Sequence, residues 1–119
     1  MKDKFNYYIE CSDSYYKLDD YTKAIEFLNN ALEIANTEKN VRLKTIYFMI
    51  VGNSYYKFGE FSKTIDFTNK ALEIAKSNGY LKIERDCLLN LSYWYFEFGD
   101  YPKSIEYKNK ALEIKDRTN

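Results

Sequence analysis

An all-α solenoid of three helix-turn-helix repeats, six helices in one domain, is the fold class that this sequence predicts. Three observations predict it. The tetrapeptide Ala-Leu-Glu-Ile starts at Ala31, Ala71 and Ala111, a step of forty residues. Each forty-residue unit carries two apolar stripes at three- and four-residue spacing, the period of a helix face. A short turn of Gly and acidic residues separates the two stripes. Periods of about 20–50 residues mark stacked architectures, because one helix pair cannot bury its apolar face alone.

On that step the segment YYKLDDYTKAIEFLNNALEIA from Tyr15 aligns with YYKFGEFSKTIDFTNKALEIA from Tyr55 and YFEFGDYPKSIEYKNKALEIK from Tyr95. The repeats run over about 5–44, 45–84 and 85–119. In the first helix of the middle repeat, Phe48, Val51, Tyr55 and Phe58 share a face. Tyr8, Cys11, Tyr15 and Leu18 match them before, and Leu88, Leu91, Tyr95 and Phe98 after. Gly59 and Gly99 supply the positive φ of a helix C-terminus, with Asp19 in that place in the first repeat at some cost. Asp20, Glu60 and Asp100 then open the second helix, where exposed backbone N–H groups favour negative charge. Pro102 fits a first helical turn. The second helix has its own stripe of Tyr21, Ala24, Ile25, Leu28, Ala31, Leu32 and Ala35. The spacing predicts helices over 3–17, 21–37, 39–57, 61–77, 80–97 and 101–116.

Composition narrows function. Lys and Arg number 18 and Asp and Glu 18, so the net charge is zero. Phosphate binding needs a cationic surplus on one face, so nucleic acid is not an expected partner. No apolar run approaches the roughly 20 residues of a membrane span, and the N-terminal MKDKFNYYIE lacks a signal-type apolar core. The expectation is a cytoplasmic chain without a membrane partner. Cys11 and Cys87 read as two small core residues rather than a disulfide framework. The chain has no His and no Gln, and no metal-spaced cluster or Gly-rich phosphate loop. Neither an enzyme nor a cofactor nor a bound metal is expected.

These residues resemble the tetratricopeptide repeat over nearly the whole chain. Phe48, Val51, Gly52 and Tyr55 answer to the opening of the family pattern, and Ala24, Leu28 and Ala31 to its second half. The step is forty residues here rather than the family's usual value of about 34, and the closing Pro is absent, with Asn36, Lys76 and Asp116 near its place. Thr68 and Lys108 replace the large apolar residue that Leu28 supplies. Forty-residue units ending in ALEIA look like those of kinesin light chains, polarity adaptors and bacterial peptide-sensing regulators. The resemblance implies a right-handed superhelix whose first helices line a concave groove for a peptide or a partner helix.

Carried over position by position, that groove is lined by Asn6, Ile9, Asp13, Tyr16 and Lys17 in the first repeat. Met49, Ile50, Asn53, Tyr56 and Lys57 follow in the second, and Leu89, Asn90, Tyr93, Phe96 and Glu97 in the third. Asn53 and Asn90 each offer a donor and an acceptor to a peptide backbone. The aromatic residues offer packing surface. Some family members clamp the acidic tail of heat-shock chaperones with basic residues, but Ile9, Asp13, Ile50, Asp86 and Asn90 stand at the clamp positions, so a carboxylate is repelled. The resemblance to phosphatase and transcription regulators stops at the repeats. A self-assembling structural protein and the repeat fragment of a larger peptide-sensing regulator are the alternatives to a groove-binding scaffold.

The last helix is followed only by KDRTN, so Ile105, Tyr107, Leu112 and Ile114 are expected to be partly uncovered. Trp94, where Ser14 and Ser54 stand in the other repeats, either plugs the stack or joins these four in an end-to-end contact. Exposed apolar ends mark partners. A homo-oligomer through open ends, a longer solenoid and a sufficient short tail are the three readings of this end.

Small residues recur where the helices of one repeat must touch: Ser12, Ala24 and Ala31; Gly52, Thr64 and Ala71; Ser92, Ser104 and Ala111. Tyr15, Tyr55 and Tyr95 fill the space beside them. Ala71→Leu is therefore expected to lower stability by about 1–3 kcal/mol through overpacking. Urea unfolding of the variant beside the parent measures it, and an unchanged midpoint rejects this pairing of helices.

Overall fold

The computed structural model describes the backbone of residues 2–118 and the side chains of residues 4–114. It holds α1 (Lys2–Lys17), α2 (Tyr21–Thr37), α3 (Val41–Lys57), α4 (Phe61–Asn78), α5 (Leu81–Glu97) and α6 (Tyr101–Thr118). Each helix lies within two residues of its predicted span. The pairs α1/α2, α3/α4 and α5/α6 pack as hairpins, and α2/α3 and α4/α5 join one hairpin to the next. The result is a slab of 41 × 35 × 19 Å, a helical-repeat solenoid two helices thick.

The turns form as the sequence predicts. Asp19, Gly59 and Gly99 take φ of 61°, 75° and 85°. Asp20 and Asp100 cap their helices by accepting the backbone N–H of Lys23 and Lys103, each at 3.2 Å. Glu60 makes no such side-chain bond. Its extra methylene carries the carboxylate past the geometry that a capping Asp uses. Asn40 caps α3 through the N–H of Leu43 at 3.0 Å.

Within each hairpin the two helices approach closely at one level, and each repeat accommodates this differently. In the first, Ser12 Oγ donates to the carbonyl of Ala24 at 2.8 Å. In the third, Ser92 and Ser104 donate to each other's carbonyls, both at 2.8 Å. In the second there is no side chain at all: a Cβ on Gly52 would stand 3.1 Å from Thr68 Oγ1 and 3.3 Å from the Thr64 carbonyl oxygen. The buried hydroxyls cost little because each is hydrogen-bonded.

Beside this contact the same aromatic stack is built three times. Tyr15 lies on Phe27, Tyr55 on Phe67 and Tyr95 on Tyr107, with centroids 5.5–5.6 Å apart and planes within 6° of parallel. Lys23, Lys63 and Lys103 reach over the three Tyr rings at 5.3, 5.1 and 5.0 Å. The ammonium on the ring face adds electrostatic attraction to apolar burial.

Between repeats the aromatic contacts differ in detail. Tyr47 stacks on Phe5 at 3.8 Å, and Phe58 meets Tyr16 edge-on at 5.2 Å. Trp94 lies on Tyr56 at 4.4 Å, and Phe98 meets Phe61 at 4.7 Å. Leu18 occupies the position of Phe58 and Phe98 but is 73% exposed, because no repeat lies before it among the described residues. The sequence places Leu18 on the apolar face; the face exists, but nothing here covers it. Tyr21, expected in the second-helix stripe, is also exposed, at the edge of the slab.

Cys87 is fully buried, and burial pushes its thiol up from 9.0 to about 12. Burial likewise raises Tyr55 and Tyr107. The folded chain keeps these protons at a pH where the unfolded chain releases them. For Cys87 the stability is therefore full below pH 9 and is lost between pH 9 and about 12. Chemical denaturation across that range is expected to show the loss, and Cys87→Ala to make it shallower. A native chain should also yield one reactive thiol, Cys11, before unfolding exposes the second.

Candidate functional site

The predicted groove residues fall on α1, α3 and α5, and none of them is buried. Asn6, Lys17, Asn53, Lys57, Leu89, Tyr93, Phe96 and Glu97 are exposed. Ile9, Asp13, Tyr16, Met49, Ile50, Tyr56 and Asn90 are half-buried. Side chains of successive first helices meet across this surface. Lys57 Nζ pairs with Asp13 Oδ1 at 2.8 Å, joining α3 to α1, and Tyr56 stands 6.4 Å from Tyr93, joining α3 to α5. The ion pair is well exposed on both sides, so its contribution to stability is small. Its effect on the surface is to neutralise Lys57. Lys82 does the same for Asp86 at 3.2 Å. A hydrogen bond to Glu97 raises the Tyr93 phenol, so Tyr93 stays neutral well above pH 7.

At the turn end of this surface lies a hollow of ≈460 Å³ between the first and second repeats. Tyr16, Tyr21 and Phe58 are its aromatic walls, and Lys57 and Glu60 stand on its rim. Phe58 meets both tyrosines nearly at right angles. Tyr21 is held from outside by its hydroxyl, which donates to Asp19 Oδ1 at 3.2 Å. The positive φ of Asp19 thus both turns the chain and aims one wall of the hollow.

The tetratricopeptide repeat family matches residues 5–38, which is the first hairpin. The same residue pattern recurs on the forty-residue step in the other two hairpins. The first hairpin is thus a tetratricopeptide repeat, and the chain as a whole has the tetratricopeptide-repeat fold. Its repeats superpose on the tetratricopeptide domain of Arabidopsis FLU with a TM-score of 0.69 at 17% identity, covering 99% of this chain and 98% of that one. They superpose on the N-terminal domain of stress-induced protein-1 from C. elegans at 0.65 and 15%, covering 94% and 84%. BtubC (BKLC) from P. vanneervenii aligns at 0.71 and 24% over 89% of this chain, which spans only 43% of that protein. At such identities these likenesses establish the fold. No curated protein matches the sequence. Among the described residues no helix is long and apolar enough to cross a membrane.

The expected end contact is corrected in part. Trp94 is 7% exposed and Ile114 2%, so both belong to the interior. Trp94 is the internal plug, since α5 carries it onto Tyr56. Tyr107 is half-buried because it stacks on Tyr95 within its own tetratricopeptide repeat. Only Ile105, at 61%, and Leu112, at 47%, are open. The sequence reading also missed Phe27, Phe67 and Lys23, Lys63 and Lys103 as partners of the repeated tyrosines. The signal was present: each recurs on the forty-residue step, with only Tyr107 replacing Phe.

Proposed function

We infer that this tetratricopeptide-repeat chain is a protein-interaction scaffold, without a catalytic role of its own, that binds an extended peptide or a partner helix along α1, α3 and α5. The observation that carries this reading is that none of the first-helix residues named above is buried, and that beside them lies the aromatic hollow of Tyr16, Tyr21 and Phe58. A ligand side chain of apolar or aromatic character suits the hollow, since the rings offer area and edges. Asn53 and Asn90 suit the ligand's backbone, since each amide gives and accepts a hydrogen bond. Asp13 already holds Lys57, which leaves the middle of the surface near neutral and favours an uncharged segment over an acidic tail. An extended peptide would meet these two amides with its backbone and the hollow with one side chain, whereas a partner helix would meet the same surface with its apolar face.

A peptide-library screen supplies the ligand. Asn53→Ala combined with Asn90→Ala is then expected to weaken binding about tenfold, the loss of about 1.4 kcal/mol. The unfolding midpoint should stay unchanged, because neither amide is buried. A ligand held equally well by the double variant removes the amides from the site. Tyr16→Ala that leaves ligand affinity intact removes the hollow.

A further inference from the structure

The two ends of the slab carry the two halves of one interface. Inside the chain that interface occurs twice. Toward the next repeat, the first repeat presents Ile9, Ser12, Tyr16, Ala24, Ile25 and Leu28, none of them exposed. The second presents Met49, Gly52, Tyr56, Thr64, Ile65 and Thr68, again none exposed. In the third repeat the same positions are Leu89, Ser92, Phe96, Ser104, Ile105 and Lys108. Here the face opens: Leu89, Phe96, Ile105 and Lys108 are exposed and line, with Tyr93, a hollow of ≈370 Å³.

What meets that face inside the chain follows from the ring contacts of Tyr47, Phe58, Trp94 and Phe98 and from the burial of the positions between them. It is the outer stripe of the following first helix: Tyr47, Val51, Ser54 and Phe58 from α3, and Cys87, Leu91, Trp94 and Phe98 from α5. The first three of each set are buried and the Phe half-buried. On α1 the same stripe is Tyr7, Cys11, Ser14 and Leu18. Tyr7 is 58% exposed and Leu18 73%. Thus α1 presents the ridge and the α5/α6 hairpin presents the hollow that the repeat-to-repeat contact joins elsewhere in the same molecule.

We propose that the chain associates head to tail, with α1 of a second copy seated in the open α5/α6 hollow. The register follows from the in-chain contacts. Tyr47 stacks on Phe5, so Tyr7 of the second copy comes over Arg85, which holds the position of Phe5. A guanidinium stacks on an aromatic face as a ring does. Phe58 packs on Tyr16 and Tyr21, so Leu18 of the second copy comes onto Phe96 and Tyr101, both exposed. Lys108 stands where Leu28 and Thr68 are buried, so the contact between copies is weaker than the contact within one and depends on concentration. The contact joins unlike surfaces, so it propagates to arrays rather than closing at a dimer.

Two variants, Leu18→Asp on the ridge and Ile105→Asp in the hollow, test this by light scattering across a concentration series. The parent is expected to rise above 14.3 kDa with concentration and to pass the dimer. Each variant alone should stay a monomer. Their equimolar mixture should stop at twice 14.3 kDa, since one good ridge meets one good hollow. A parent that stays monomeric up to millimolar concentration leaves the hollow to another protein's helix and overturns the proposal. So does a variant that still dimerises alone, or a mixture that stays monomeric. If either Asp variant loses its helical circular dichroism, Leu18→Gln and Ile105→Gln take their places with the same expected outcomes.

Discussion

Everything else in this molecule depends on how closely the two helices of a repeat approach at one level of the hairpin. The distance is set by backbone meeting backbone. Ser12 reaches the Ala24 carbonyl, Ser92 and Ser104 exchange bonds with each other's carbonyls, and Gly52 leaves no room for a Cβ. The approach brings Tyr15, Tyr55 and Tyr95 flat against their partners on the second helix. A larger side chain at any of these points would separate the pair and move the repeat-to-repeat face with it.

The three repeats share that constraint, the tyrosine stack beside it and the turn, and differ in how the close approach is filled and in the contacts between repeats. Hydroxyl, glycine and paired hydroxyls are three chemical solutions of one geometric problem. The contacts between repeats vary more widely: a Phe–Tyr stack at one junction, a Trp on a Tyr at the other. Trp94 replaces the buried Ser54 without breaking the step, because the tilted ring of Tyr56 packs against it at 4.4 Å. Variation of this kind is tolerated where side chains meet side chains and not where backbones meet.

Function follows from the same division. The first-helix surfaces mix exposed residues such as Asn53 and Tyr93 with half-buried ones such as Tyr16 and Tyr56, which also pack at the repeat junctions. The aromatic hollow at the first turn arises because Phe58 must cover the preceding repeat while Asp19 holds Tyr21 outside it. The hollow is thus a by-product of the joint between two repeats.

Sequence alone determined the six helices, their turns and the small-residue contacts. Each of these is local or repeats at a fixed step, and φ preference, helix period and side-chain volume suffice to read it. It also placed the first-helix residues on an accessible surface. It did not determine which apolar residues stay exposed. Leu18 and Ile105 are apolar like their half-buried counterparts, and the presence or absence of a neighbouring repeat separates them. Nor did it decide Trp94, Tyr107 and Ile114, whose burial depends on ring stacking and on helix packing in three dimensions. The tertiary structure decided these, because burial is a property of what stands opposite a residue and not of the residue itself.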